Sequence, residues 1–125
     1  MTDSVEVQMG RILDEYVEKV HEVTDESIKH SSQEAVQKLR NTSPRNEKGK
    51  RAGRYARGWT KKEGHYETIV YNKTDWQLTH LLANGHVVVN RYGETGARTK
   101  PDSHIADVEQ WAIEDLPMRI SRGLK

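Results

Sequence analysis

At 125 residues the chain is long enough for one domain, and a 34% hydrophobic content with no Phe makes its core a thin one. The lack of any Cys excludes disulfides, thiolate zinc sites and thiol nucleophiles. Net charge is only +1, but it is segregated: residues 1–43 hold nine acids against five bases, residues 44–62 eight bases against Glu47 alone, and the remainder nine acids against seven bases.

In chain order, the first forty residues read as a long helix. Val5, Met9, Ile12, Leu13, Tyr16, Val20 and Val23 recur at spacings of three and four and form one apolar stripe. An ordinary core face is the first reading of that stripe, and a partner helix in an oligomer is the second. Asp3 and Glu6 have the spacing of a capping box. The stripe weakens over TDESIKHSSQE, so a bend or interruption is expected near residues 24–32 before it resumes at Ala35, Val36 and Leu39. The run Asn41-Thr42-Ser43-Pro44 ends the helix, because the residue before a proline avoids the helical region.

Pro44, Gly49 and Gly53 among charged residues mark 44–54 as a flexible basic loop. YARGWTKK (55–62) and YETIVY (66–71) then read as two strands of a hairpin turning at Glu63-Gly64-His65. Thr74-x-x-Gln77 has the capping-box pattern and opens a helix of one to two turns, whose Trp76, Leu78, Leu81 and Leu82 are expected to bury one face. Asn84-Gly85 is a left-handed stop. A third strand is expected at His86–Asn90, followed by a flexible segment RYGETGARTKPD. Asp102 or Ser103 caps a last helix through Ile105, Val108, Ala112, Ile113 and Leu116, with Pro117 kinking or ending it and 117–125 left as a basic tail. The expected class is therefore α+β: a long N-terminal helix, a small antiparallel β-sheet with a short inserted helix, and a C-terminal helix, in one domain over residues 1–125.

Two segments invite a chemical reading. His80, His86 and His104 supply three imidazoles for a zinc site, but no HExxH, no i, i+4 histidine pair and no adjacent carboxylate motif accompanies them. Ser103, His80 and Asp75 make a still weaker triad, without a nucleophile elbow. Histidines that hydrogen-bond turns are the commoner case, so no catalytic residue, metal or cofactor is assigned. Arg45, Lys48, Lys50, Arg51, Arg54 and Arg57, interleaved with Tyr55 and Trp59, form the other candidate. They suit non-specific contact with nucleic acid, or a loop ordered by an acidic neighbour. No run approaches the roughly 20 apolar residues of a membrane span, and MTDSVEVQMG lacks the basic flank and apolar block of a secretory signal. The expectation is a soluble protein made inside the cell.

The order TSPRNEKGKRAGRYARGW, then VYNKTDWQLTHLLANGH, then a glycine- and base-containing loop ending in His-Ile resembles the gene-product-ten-like head–tail joining and tail-completion proteins of long-tailed bacteriophages. The likeness runs over residues 1–116. It is carried by Gly53-Arg54-Tyr55-Ala56-Arg57-Gly58-Trp59, by Val70-Tyr71-Asn72-Lys73, and by Leu78-Thr79-His80-Leu81-Leu82 with Gly85-His86. Two departures stand out: Ala83 occupies a position where relatives commonly carry an acid, and Pro101 is displaced from its place beside His104-Ile105 by Asp102-Ser103.

The resemblance implies a structural virion protein of the phage neck, without catalysis. It implies a ring of identical subunits around the DNA channel at the head–tail interface, completing the tail or joining it to the filled head. The implied partners are connector or stopper proteins, the tail terminator or tube, and the genomic DNA passing non-specifically through the channel, with no membrane. A tail terminator that caps the tube and fixes tail length is the nearest alternative, and a non-specific nucleic-acid-binding module using 44–62 is the alternative from another class. On this reading Arg45, Lys48, Lys50, Arg51, Arg54 and Arg57 form a docking arm. Tyr55, Trp59, Tyr71, Asn72, Trp76, Leu78, His80, Leu81, Gly85, His86 and His104 form the motif core from which it leaves.

Overall fold

The computed structural model describes residues 4–45, 52–85 and 87–125. Helix α1 spans Val5–Thr42 without a break. Its N-cap is Ser4, whose Oγ accepts a hydrogen bond from the Val7 amide at 3.2 Å, so the cap falls one residue after the Asp3 expected. Asp3 itself lies outside the described residues. The interruption expected near 24–32 does not occur. There the helix exchanges apolar residues for small ones: Ser27, Ser31 and Ser32 are buried, and Ser32 Oγ donates to the Lys29 carbonyl at 3.0 Å within the same helix. Ser31, Ser32 and Ala35 face Thr68 and Val70 on one side and Ala112 and Leu116 on the other. Small side chains on that face let two elements approach α1 closely, and a pattern search for large apolar residues misses it.

Gly53, left-handed at φ 70°, starts the helical turn α2 (Arg54–Arg57), where a strand was expected. Tyr55 and Ala56 are buried in this turn, and their burial overrides the β-propensity of the segment. Strands β1 (Trp59–Gly64) and β2 (Glu67–Asn72) pair antiparallel from Trp59 opposite Asn72 to Gly64 opposite Glu67. The turn falls at His65-Tyr66, and Tyr66 (φ 57°) rests beside His21 of α1 with ring centroids 5.3 Å apart.

Helix α3 (Trp76–Asn84) stops at Gly85 as the Asn-Gly pair predicts, but with φ 76° and ψ 164° the glycine lies outside the left-handed helical region expected of that cap. Strand β3 (Val87–Asn90) pairs antiparallel with β4 (Gly93–Arg98) across a register shift between Val87 and Val89. The segment expected to be flexible is therefore a strand, and the expected single small sheet is two separate two-stranded hairpins. Helix α4 (His104–Gly123) runs through Pro117 and takes in most of the supposed tail. A proline inside a helix costs about 3 kcal/mol through its missing donor and its ring. Here Leu116 is half-buried, lining a pocket opposite Ile28 and Ser31 of α1, and Arg119 pairs with both Asp115 and Glu34, so the helix is held on both sides of the proline.

The class is α+β, as expected. Its core is small: Ala35, Val36, Leu39, Tyr55, Trp59 and Val108, with Val70, Leu82, Ile105 and Trp111 packed around them. That core sits against the C-terminal half of α1. The N-terminal half is different: Val5, Met9, Ile12, Leu13, Tyr16 and Val17 are all between 49% and 68% exposed. The stripe is thus not a core face of its own chain over these residues. The body ends where Gly123 lies against Val23 and Tyr66 against His21, and Val5–Lys19 extends past that limit for about 22 Å at 1.5 Å per residue.

Candidate functional site

The two motif stretches fold against each other at the C-terminal end of α1. Asn72, the last residue of β2, is 2% exposed and hydrogen-bonded through both atoms of its amide. Its Nδ2 donates to the Tyr55 carbonyl at 2.7 Å, while its Oδ1 accepts from the amides of Asp75 (2.9 Å) and Thr74 (3.2 Å) and from Thr74 Oγ1 (3.2 Å). One buried amide thereby fixes both the helical turn before β1 and the loop before α3. Gly58 is required beneath it, since a Cβ there would lie 2.1 Å from Thr74 Oγ1 and 2.5 Å from Asn72 Oδ1. Thr74 also donates to the Arg54 carbonyl (3.3 Å), so it ties α2 to the loop and does not form the expected capping box with Gln77. Asp75 is the N-cap residue of α3, without a side-chain cap bond, and its carboxylate pairs with Arg54 Nε at 3.4 Å.

A second chain of bonds joins α4 to the same turn. Asp102 Oδ1 accepts from the His104 amide (2.9 Å) and lies 2.7 Å from His104 Nδ1, while His104 Nε2 is 2.7 Å from the Tyr55 hydroxyl. A carboxylate at Nδ1 selects the tautomer with its proton there, which leaves Nε2 to accept from the phenol. Burial first, and the Asp102 charge second, push the Tyr55 phenol up to about 12, in keeping with its role as donor. Trp59 completes the cluster. Its Nε1 donates to Ser43 Oγ at 2.7 Å, its carbonyl accepts from Arg40 Nε (3.0 Å) and a terminal guanidinium nitrogen (2.8 Å), and its ring meets Tyr55 edge-on at 5.7 Å.

The order carboxylate, imidazole, hydroxyl is that of a proton relay, but this one is consumed inside the fold. His104 is 2% exposed and Tyr55 7%, so the hydroxyl at its end faces protein. The relay holds a shape: it fastens the start of α4 to the turn before β1. The residues weighed for other chemistry are kept apart. His104 has both ring nitrogens engaged, His80 is exposed on α3, Ser103 Oγ donates to Asp107 at 2.8 Å, and Asp75 is paired with Arg54. Among the described residues no group of three or more His, Asp or Glu is placed to hold a metal ion.

Of the expected motif core, Tyr55, Trp59, Asn72, Gly85 and His104 are buried together at this end of the molecule. Gly85 is needed where the chain returns, since a Cβ on it would lie 2.5 Å from the Thr99 carbonyl. Tyr71 (41% exposed), Trp76 (62%), Leu78 (38%) and Leu81 (43%) are not packed as expected, and His86 lies outside the described residues. Helix α3 turns Thr79, Leu82 and Ala83 inward, and only Leu82 joins the core, so its other apolar residues face out. Between α3 and β2 this leaves an open apolar groove of about 430 Å³, lined chiefly by Val70, Tyr71, Trp76, Thr79, Ala83 and Ile105.

The basic candidates divide. Arg54 is an internal clamp on Thr74 and Asp75, while Arg45 and Arg57 are exposed and donate to the carbonyls of Arg40 and Ala52. Lys48, Lys50 and Arg51 lie outside the described residues, as does most of the loop assigned to 44–54. Sequence reasoning missed the roles of Arg40 and Ser43, whose partners are distant in sequence; Asp102 does accept from the first amide of α4 as expected of a cap, but its bond to the His104 ring was not foreseen. Compared with known protein families, with curated proteins and with solved structures, the chain matches none.

Proposed function

We propose that this chain is a structural protein of the phage neck, which assembles as a ring at the head–tail interface and completes the tail or joins it to the DNA-filled head. The observation that carries the reading is what the motif residues do. GRYARGW and VYNKTDW lock into one buried polar cluster through Asn72, Tyr55 and Trp59, while an apolar helical arm and an apolar groove face outward at opposite ends. Such a chain is built to dock. Its partners are further copies of itself and the connector, stopper, terminator or tube proteins next to it, with the genomic DNA passing through the ring.

Electron microscopy of lysates from a phage carrying a stop codon in this gene tests the reading. The expected image is filled heads beside separate tails of normal length. Tails of abnormal length would transfer the assignment to a tail terminator. Intact infectious particles would overturn the neck reading and bring forward non-specific nucleic-acid binding by the 44–62 segment.

A further inference from the structure

We infer that the projecting half of α1 seats in the β2–α3 groove of a second copy, head to tail. The inference deepens the ring of the proposed function and rests on it. Three observations point to this occupant. The arm, Val5–Lys19, presents Met9, Ile12, Leu13 and Tyr16 along one face, each at least 57% exposed, which is the i, i+3, i+4, i+7 spacing of a helix laid in a groove. The groove offers Tyr71, Trp76, Thr79 and Ala83 as the matching apolar walls, with Ile69 and Leu78 exposed beside it.

The two surfaces cannot meet within one chain. The groove contains Trp59 and Asn72, fixed near Arg40 and Ser43, whereas the arm leaves the body at Val23, about 26 Å from Arg40 along α1. Arm and groove are therefore the two ends of a head-to-tail contact, and such contacts close into rings when the rotation permits.

Charge selects the pairing. Ser4–Glu26 carries seven acids (Glu6, Asp14, Glu15, Glu18, Glu22, Asp25, Glu26) against Arg11 and Lys19. The groove end carries exposed Arg45, Arg57 and Lys73, and Asp75 there is already paired with Arg54. Two arms laid together set acid against acid, whereas an arm in a groove sets acid beside base.

The test is sedimentation velocity on the purified full-length chain over a range of concentration and salt. Ile12→Asp with Tyr16→Asp disables the arm. Trp76→Glu, or Ala83→Trp, which fills the groove without adding charge, disables the groove. All these positions lie outside the buried core, and circular dichroism with thermal unfolding verifies that each variant folds. The wild type is expected to assemble beyond a dimer, more weakly at high salt. Each variant alone stays monomeric, and an equimolar mixture of arm and groove variants stops at the dimer, because one intact arm and one intact groove remain. A monomeric wild type, groove variants that assemble like the wild type, or a mixture without dimer overturns the inference. A monomeric wild type combined with a head–tail joining defect in the stop-codon phage would sink the arm contact and leave the neck reading standing. Head-to-tail assembly combined with intact particles would do the reverse.

Discussion

Replacing Asn72 with Ala removes the amide on which both motif stretches depend. Asn72 gives one hydrogen bond, to the Tyr55 carbonyl at 2.7 Å, and receives three at Oδ1, from Thr74 N, Thr74 Oγ1 and Asp75 N. The Tyr55 carbonyl belongs to a buried residue but keeps the Gly58 amide as a donor at 3.1 Å, so losing the Asn72 bond there costs about 0.5–1.5 kcal/mol. Thr74 and Asp75 are half-exposed, so water takes over most of their share, and each lost bond there costs no more than about 0.5 kcal/mol. The sum is about 1–3 kcal/mol, a sizeable part of the roughly 5–15 kcal/mol of a typical domain. Urea unfolding followed by tryptophan fluorescence measures it directly, because Trp59 lies in the core beside the altered site. The midpoint should fall with little change in slope. Asn72→Asp keeps the acceptor but loses the Nδ2 donor and buries a charge, so at neutral pH it should be at least as damaging. A loss below about 0.5 kcal/mol for the alanine variant would refute the claim that this amide holds the site together.

Two glycines should respond in opposite senses. At Gly10 a methyl group would meet nothing within 4 Å, so Gly10→Ala is expected to raise stability by about 0.5–1 kcal/mol through helix propensity. Gly58→Ala drives a methyl onto Thr74 and Asn72 and should lower it by about 1–3 kcal/mol or more; thermal unfolding of both reads the contrast. Tyr55→Phe strands His104 Nε2 in a buried place and should destabilise by about 1–3 kcal/mol at neutral pH. The wild-type phenol ionises near 10 when unfolded and is pushed up to about 12 when folded, so between those values the native state holds a proton that the unfolded state has released. This contribution is complete below pH 10 and is lost as pH rises toward 12; the phenylalanine variant should lack that decline in urea unfolding across the window.

The long helix, the β1–β2 hairpin, the glycine stop of α3 and the α+β class were legible because each depends on local spacing or turn chemistry. What escaped depended on contacts distant in sequence. Ser31 and Ser32 looked like a break in the stripe because the face they share with β2 and α4 carries small buried residues, not large ones. Tyr55-Ala56 looked like a strand, and a clamp of Asn72, Thr74 and Arg54 holds it as a helical turn. Pro117 looked like a stop, and anchoring at Leu116 and Arg119 carries α4 past it. The stripe on the N-terminal half of α1 was legible, but periodicity says nothing about what covers a face. On α3 the expected face was wrong, because of Trp76, Leu78, Leu81 and Leu82 only Leu82 turns onto the core. The exposure of the arm residues and of Trp76, Leu78 and Leu81 shows that they are not core within this chain.

The most direct test of the docking account is complementation in a lysate of the stop-codon phage. Purified wild-type chain, added to the separated heads and tails, should restore infectious particles, and the chain with Ile12→Asp and Tyr16→Asp should not. Failure of the wild-type chain to restore any infectivity, or equal restoration by both, would contradict it.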